Sequence, residues 1–506
     1  MNRKNFVRIS LFSIVLLGLV LFVGAGTAGA SNKFQTTVVT LTFDNLEDLG
    51  ADFVYEGWAI IDGAPVSTGT FTVDAKGKLS QRNFTVAARP KKIDAIVVTI
   101  EPYPDPDPAP SATHILAGDV NKRRAALTAG HPAALGNDFQ SAAGSYILAV
   151  PSSSSTPYTN GIWWLDPAAG PGPGLELPVL PAGWVYEGWI VGGNGPVSTG
   201  TFTDVAAADS DAGGPYAGLD GTPPFPGQDF VNPPTNLVDY AAVISIEPYP
   251  DNSAAPFTFK PLVNTIEDPG APGVSQSMSN NADGFPTGYA RLTRGARYQV
   301  TLENLTYGQP FSPPVAITHR RSSQMFVPNN RNALAAIEAI AEDGNQSLAV
   351  EFFNRKRFVT DVVDVGMPLT PHGTTVGNFS DTVTFEIVAR PGDRLSLAGM
   401  LICTNDGLVI ASDAHLPRYG SVSYGLEGFD AGTEDNTELS SHIVDACSAL
   451  GPVVLQGDPN GNENDAVDTN PAQGILWHPG IQGHGDLQDV HDWDGDVATL
   501  TIERID

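Results

Sequence analysis

Basic residues are scarce in this chain: 27 Lys and Arg stand against 56 Asp and Glu across 506 residues, a formal charge of −29 at neutral pH. Phosphate backbones are held by clustered Lys and Arg, so this balance excludes a general nucleic-acid binder. It also disfavours anionic membrane surfaces, while remaining compatible with cation binding and a self-repelling, soluble surface. Cysteine is rarer still, with only Cys403 and Cys447, both in the last third. After the first thirty residues, no apolar run is long enough to cross a bilayer. Catalytic wording is missing too. There is no GxSxG elbow, HExxH helix, phosphate loop or dinucleotide fingerprint, and we expect a protein that is not an enzyme.

What is present begins with an export signal. Arg3, Lys4 and Arg8 precede an apolar stretch from Leu11 to Val23, and small residues then lead to Ala28-Gly29-Ala30. That layout predicts a signal peptide over residues 1–30, cut before Ser31, and a secreted or surface-held product. The alternative is an uncleaved anchor, because Ile9 to Ala28 nearly matches the roughly 20 apolar residues that a bilayer requires. An exported chain can oxidise its thiols, so Cys403 and Cys447 either form a disulfide or remain two separate buried thiols.

The 53 Gly and 41 Pro, with recurrent short runs of Val, Thr and Phe, predict many short strands and turns, hence a mainly β fold. Two stretches repeat each other. Residues 53–72 read FVYEGWAIIDGAPVSTGTFT, and residues 184–203 read WVYEGWIVGGNGPVSTGTFT. A second shared block follows each: IVVTIEPYP from Ile96 and VISIEPYP from Val243. Tyr55, Gly57 and Ala59 alternate with Glu56, Trp58 and Ile60, the period of a strand. Asp62-Gly63 predicts a tight hairpin turn, and Asn194-Gly195 the same in the second copy. Gly69 and Gly200 interrupt the return strands and predict a bulge. The expected layout is a β-rich lobe over 31–150, its repeat over 151–265, and a polar, turn-rich linker over 266–294. Glu56, Glu101, Glu187 and Glu247 could be taken for paired catalytic carboxylates; a duplicated structural motif explains them better.

The duplicated pattern, Tyr-x-x-Trp, then Gly-x-Val-x-x-Gly-x-Phe, then a strand ending in Glu-Pro, resembles the extracytoplasmic domain of anti-sigma-K factors, in two copies over residues 36–265. Those regulators place a cytoplasmic region and a transmembrane helix before this domain, whereas here the signal comes first. The resemblance therefore implies a fold and a sensing or ligand-holding role, not sigma-factor inhibition.

Strand alternation resumes at Tyr298, Val300 and Leu302 and again at Val383, Phe385 and Ile387. Asn332 to Glu342 predicts a helix with Leu334, Ile337 and Ala341 on one face and Gly344 as its stop. Several separate motifs then occur in order: Tyr298-Gln-Val-Thr-Leu-Glu-Asn-Leu-Thr, Leu397-Ala-Gly-Met-Leu-Ile-Cys-Thr-Asn-Asp-Gly, Phe429-Asp-Ala-Gly-Thr-Glu and His478-Pro-Gly-Ile-Gln-Gly-His-Gly-Asp-Leu. This wording, over residues 295–506, resembles a spondin domain in the form found in prokaryotic secreted proteins. The resemblance implies a C2-like antiparallel β-sandwich with one or two short helices, associated with matrix and cell-surface adhesion. It also implies a Ca²⁺ ion held by Asp406, Asp430 and Glu434, with Glu434 standing where the animal pattern has Asp. Hard carboxylate oxygens from loops at one end of a sandwich suit that ion. The alternative is that Asp430-Ala-Gly-Thr is only a turn capped by its Asp.

Two further acidic segments are weaker. Residues 458–465 superficially resemble a calcium loop, but Glu463 occupies the place where an EF-hand needs Gly. His478, His484 and His491, with Asp486 and Asp492, have spacings that fit no usual zinc motif. The expected function is extracellular binding or adhesion, to a glycan, matrix component or surface protein. The alternative is a cell-envelope ligand sensor using the anti-sigma-like lobes, and an extracellular hydrolase is a third class.

Overall fold

The computed structural model describes residues 35–168, 170–210, 224–250, 253–322, 325–326, 333–455 and 474–506. The expected signal peptide and the acidic segment 458–465 lie outside them. The fold is mainly β and antiparallel, with three α-helices among the described residues.

The first lobe is built on the hairpin Phe53–Ile61 and Ala64–Phe71. Asp62 (φ 50°) and Gly63 (φ 80°) turn it, both in the left-handed region that a two-residue hairpin loop needs. Gly57 faces Gly69 but Trp58 faces Ser67, so Thr68 is the extra residue of a bulge. The strand is covered on both faces. Tyr55 and Ala59 enter the main core, while Trp58 packs with Val97, Ala117 and Ala134 outside it. The sheet continues through Ile93–Pro102, His114–Asp119 and Arg124–Thr128 to a distant strand, Thr287–Asn304, and then to Thr36–Asp44 and Asn83–Val86. Phe71 and Phe84 meet at 5.8 Å across the remaining gap, leaving the sheet nearly closed.

The second lobe repeats the hairpin as Trp184–Gly192 and Gly195–Phe202, with the bulge now at Thr199. Its turn differs from expectation. Gly192 pairs with Gly195, so the turn residues are Gly193 and Asn194, one place earlier than the Asn194-Gly195 dipeptide suggests. Gly195, at φ 94°, serves as a paired position after the turn. Ala241–Pro248, Leu262–Thr265 and Ser279–Asn280 complete this sheet. Trp164, fully buried, sets its ring edge-on to Tyr146 at 5.7 Å and joins the two lobes in one continuous core. Ala143–Leu148 pairs with Gly161–Trp163, so the end of the first lobe adds to a sheet of the second.

Residues 266–294, which read as a linker, carry Ser275–Ser277, Ser279–Asn280 and the opening of Thr287–Asn304. That last strand pairs with Thr36–Asp44 and Arg124–Thr128 in its first half, and with Thr382–Ala389 and Ala498–Arg504 in its second. Ser421–Leu426 extends the second half. A six-stranded sheet faces this half in the order Val359–Asp364, Val315–His319, Arg394–Met400, Gly407–His415, Gly428–Asp430 and Leu476–Trp477. Tyr298, Val300, Leu302, Val383, Ile387, Leu500 and Ile502 from one sheet pack on Leu395, Leu397 and Val409 from the other, which makes a sandwich.

The helix Ala335–Asp343 ends at Gly344 (φ 63°), as its glycine stop predicts. Leu334 precedes the helix as its N-cap and is exposed, instead of sharing the buried face with Ile337 and Ala341. A second helix, Ser347–Asn354, was not legible; its eight residues span barely two turns. Both helices cover the outer face of the six-stranded sheet, with Ile337, Ile340, Ala349 and Phe353 on Val315, Ile317 and Ile410. Cys403 and Cys447 are bonded, tying the turn after Arg394–Met400 to the short helix Ala446–Leu450.

Candidate functional site

At one end of the sandwich, Met400 leads into Thr404-Asn405-Asp406 before Gly407–His415 begins. Thr404 Oγ1 donates to Leu401 O (2.6 Å) and accepts the Gly407 N–H (2.8 Å), closing a tight loop that drives Asp406 inward. Asp406 is fully buried. Its Oδ2 accepts the N–H groups of Thr433 (2.8 Å) and Glu434 (3.1 Å) and the Thr433 hydroxyl (3.2 Å). Its Oδ1 is buried without a hydrogen-bond partner. Burial, and then the charge of Asp430, push this carboxyl up to about 7. Gly407 pairs with Asp430 in the ladder, which sets the two carboxylates side by side.

Asp430 accepts the Gly432 N–H (2.7 Å) at Oδ1 and the Asn436 amide (2.6 Å) at Oδ2. The capped-turn reading therefore describes Asp430 correctly, without removing the electrostatic problem at Asp406. Glu434 meets Asp406 through its backbone N–H. The three expected ligands are thus one close pair plus a residue that contributes backbone. Among the described residues, the group of three His, Cys or carboxylate ligand atoms lying within 4.8 Å of one another is Cys403, Cys447 and His491 instead. Two of its members are spent in the disulfide. An orphaned, buried carboxylate oxygen beside a second carboxylate has the donor chemistry of a hard cation site. Completing a shell of six to eight oxygens requires the 431–437 loop to bring in Glu434, backbone carbonyls or water.

The histidines do other work. His478 Nδ1 accepts the Gly480 N–H (3.0 Å), so the neutral ring carries its proton on Nε2 and offers no lone pair there to a metal. Burial, outweighing nearby Asp430, holds its pKa down, and its ring lies 5.1 Å from Trp493. His491 lies against the disulfide and is held by Gln488. Asp486 accepts the Ser440 N–H (2.6 Å) and hydroxyl (2.8 Å), and Asp492 accepts the Ile481 N–H (2.9 Å). Sequence reasoning missed Glu438, which is buried and accepts the N–H groups of Gln482 (2.5 Å) and His484 (2.6 Å). Its positive φ of 55° gave no signal in the sequence.

The duplicated glutamates form two matching relays. Trp58 Nε1 donates to Thr99 (2.8 Å), Thr99 to Glu101, and Glu101 accepts the Ser111 N–H (2.9 Å). In the second copy Trp189 donates to Ser245 (2.8 Å), Ser245 to Glu247, and Glu247 accepts the Phe257 N–H (2.9 Å). Glu56 and Glu187 accept from Ser67 and Ser198 in the same two hairpins. These bonds satisfy polar groups between strands, where an unmade one would cost about 1–3 kcal/mol. The shared wording of the two copies is thereby explained by structure.

Comparison with known families finds a match to the family described as Anti-sigma-K factor rskA, C-terminal, over residues 23–114. Among the described residues, the matched segment runs from the strand Thr36–Asp44 through the first hairpin to the start of His114–Asp119. It covers the first of the two duplicated motifs. No curated protein matches the chain.

Proposed function

We propose that this protein is a cell-envelope ligand sensor, held outside the cytoplasm and built on two anti-sigma-like β lobes. One observation carries the reading: the family match over residues 23–114 falls on a hairpin and relay that the chain repeats from Trp184 to Phe257. Duplication of a β lobe suits a ligand-holding frame. The spondin-like sandwich would present this frame or add a second binding surface. Anchoring decides the matter. N-terminal sequencing of the native protein from fractionated cells is expected to find residues 1–30 retained in the membrane fraction. A mature chain that begins at Ser31 and accumulates in the medium would sink the sensor reading.

A second reading, Ca²⁺-dependent adhesion through the sandwich, is favoured by the buried, unpartnered Oδ1 of Asp406 beside Asp430. Asp406 and Asp430 would hold the ion, with Glu434 joining when its loop closes. Calorimetry of the whole protein with Ca²⁺ should give saturable binding that disappears in Asp430→Asn. Absence of binding to the folded, unsubstituted chain would remove this reading and leave the sensor proposal intact.

A further inference from the structure

Six arginines, Arg82, Arg124, Arg291, Arg320, Arg357 and Arg390, line one cavity of about 520 Å³ at the junction of the first lobe and the sandwich. Among the described residues no carboxylate lines it, in a chain with 56 Asp and Glu against 27 Lys and Arg. Among the described residues none of the six makes an ion pair.

The arginines are set by backbone register. Arg124 and Arg291 stand directly opposite each other in an antiparallel ladder. Thr40 is the partner of Arg291 on its other side, and Asn83 is the partner of Thr40. Like charges directly opposed across strands are destabilising, and among the described residues neither member of this pair forms a salt bridge with an acid. Arg390 is preorganised: its guanidinium donates to Thr40 (2.7 Å), Asn83 (2.6 Å) and Thr293 (3.0 Å). The carboxylate that most supports Arg390, Asp393, is turned to the Thr360 hydroxyl (2.6 Å) and the Arg390 N–H (2.8 Å). Burial, and behind it the charges of Arg320 and Arg291, pull the Arg390 guanidinium down to about 10 against the pull of Asp393. Phe358 steadies the far wall, with Arg320 5.7 Å and Arg357 5.9 Å from its ring centre.

We propose that this cavity binds a short anionic oligosaccharide, a sugar segment bearing carboxylate or sulfate groups. Planar guanidinium forks match the oxygen pairs of such groups. The threonine-lined wall and the exposed ring of Tyr289 add the polar and apolar surface that a sugar ring can lie against. The net acidic charge of the chain disfavours an extended polyanion or an anionic membrane, while this opening attracts a short anion. This site is separate from Asp406, and it goes beyond the sensor proposal because it would serve an anchored or a released protein equally.

The test is calorimetry of the whole protein with a galacturonate tetramer, a chondroitin sulfate tetrasaccharide and neutral maltotetraose. At least one charged sugar should bind, more weakly as salt rises, and the neutral one should not. The substitution R291Q with R320Q should weaken binding at least tenfold, while R294Q, outside the cavity, should leave it unchanged. Arg124→Gln should weaken binding yet raise the melting temperature of the free protein, since it removes the opposed charge; a merely structural role would lower both. If the double variant fails to fold, Arg357→Gln on the rim replaces it. Failure of both charged sugars to bind folded protein, or binding indifferent to these substitutions, overturns the proposal.

Discussion

Asp406 has one carboxylate oxygen saturated by three donors and the other buried without any. Burial and Asp430 raise its pKa from 3.8 to about 7, so the metal-free folded chain keeps a proton that the unfolded chain releases. Within that window the folded state binds more protons. Stability without cation therefore falls as pH rises from about 4 to about 7, and is flat with respect to this group below it. Denaturant melts in EGTA across this range check the sign. Asp406→Asn is expected to raise stability at pH 8 in EGTA, because its amide oxygen still accepts the three bonds without a buried charge. The same substitution should abolish any rise in melting temperature on adding Ca²⁺, a rise worth about 2.7 kcal/mol at a hundredfold excess over Kd. A variant less stable than the parent in EGTA at pH 8 would contradict the account. The TNDG and DAGT wording made these two aspartates legible. It could not show that Glu434 enters through its N–H, since side-chain direction depends on loop closure.

The hairpin with its bulge is the element that the chain uses twice, and its glycines are set by close approach. A Cβ on Gly188 would collide with Thr199 Oγ1 and lie 2.6 Å from Trp164 Nε1. Gly188→Ala is therefore expected to cost about 1–3 kcal/mol by overpacking. Gly193, in the turn of the same hairpin, has nothing within 4 Å, and Gly193→Ala should leave the melting temperature essentially unchanged. Equal effects of the two substitutions would refute this packing argument. The bulge itself was legible from Gly69 and Gly200. The turn of the second copy was misplaced by one residue, because a favoured dipeptide is a local signal and cross-strand register is a longer-range one. Leu334 was misassigned for a similar reason. Periodicity marks a face but not where the helix starts, and the chain enters this helix through Leu334 in an extended conformation.

At the scale of the molecule, Thr287–Asn304 is one strand shared by the nearly closed first lobe and the sandwich. Calorimetric unfolding is expected to give a single transition that includes both, and two well-separated peaks would show that the shared strand does not couple them. The Cys403–Cys447 bond closes 44 residues within the sandwich. Its reduction should lower stability by about 3–4 kcal/mol in the chain-entropy account, measured by denaturant titration with and without dithiothreitol.

The sequence by itself determined the β class, the duplicated hairpins and the acidic turns, because alternation, turn residues and repeated wording are local properties. It also held the two cysteines that the fold pairs. The tertiary structure alone decided that residues 266–294 contribute strands, since Ser275–Ser277 pairs with Ala143–Leu148 and Thr287–Asn304 with Thr36–Asp44 and Arg124–Thr128, partners too distant in sequence to leave a local mark. It alone gathered arginines scattered from residue 82 to residue 390 into one cavity of an acidic protein. Charge is counted along a chain, but an electrostatic site is made by distance in space, and only the closed fold sets that distance.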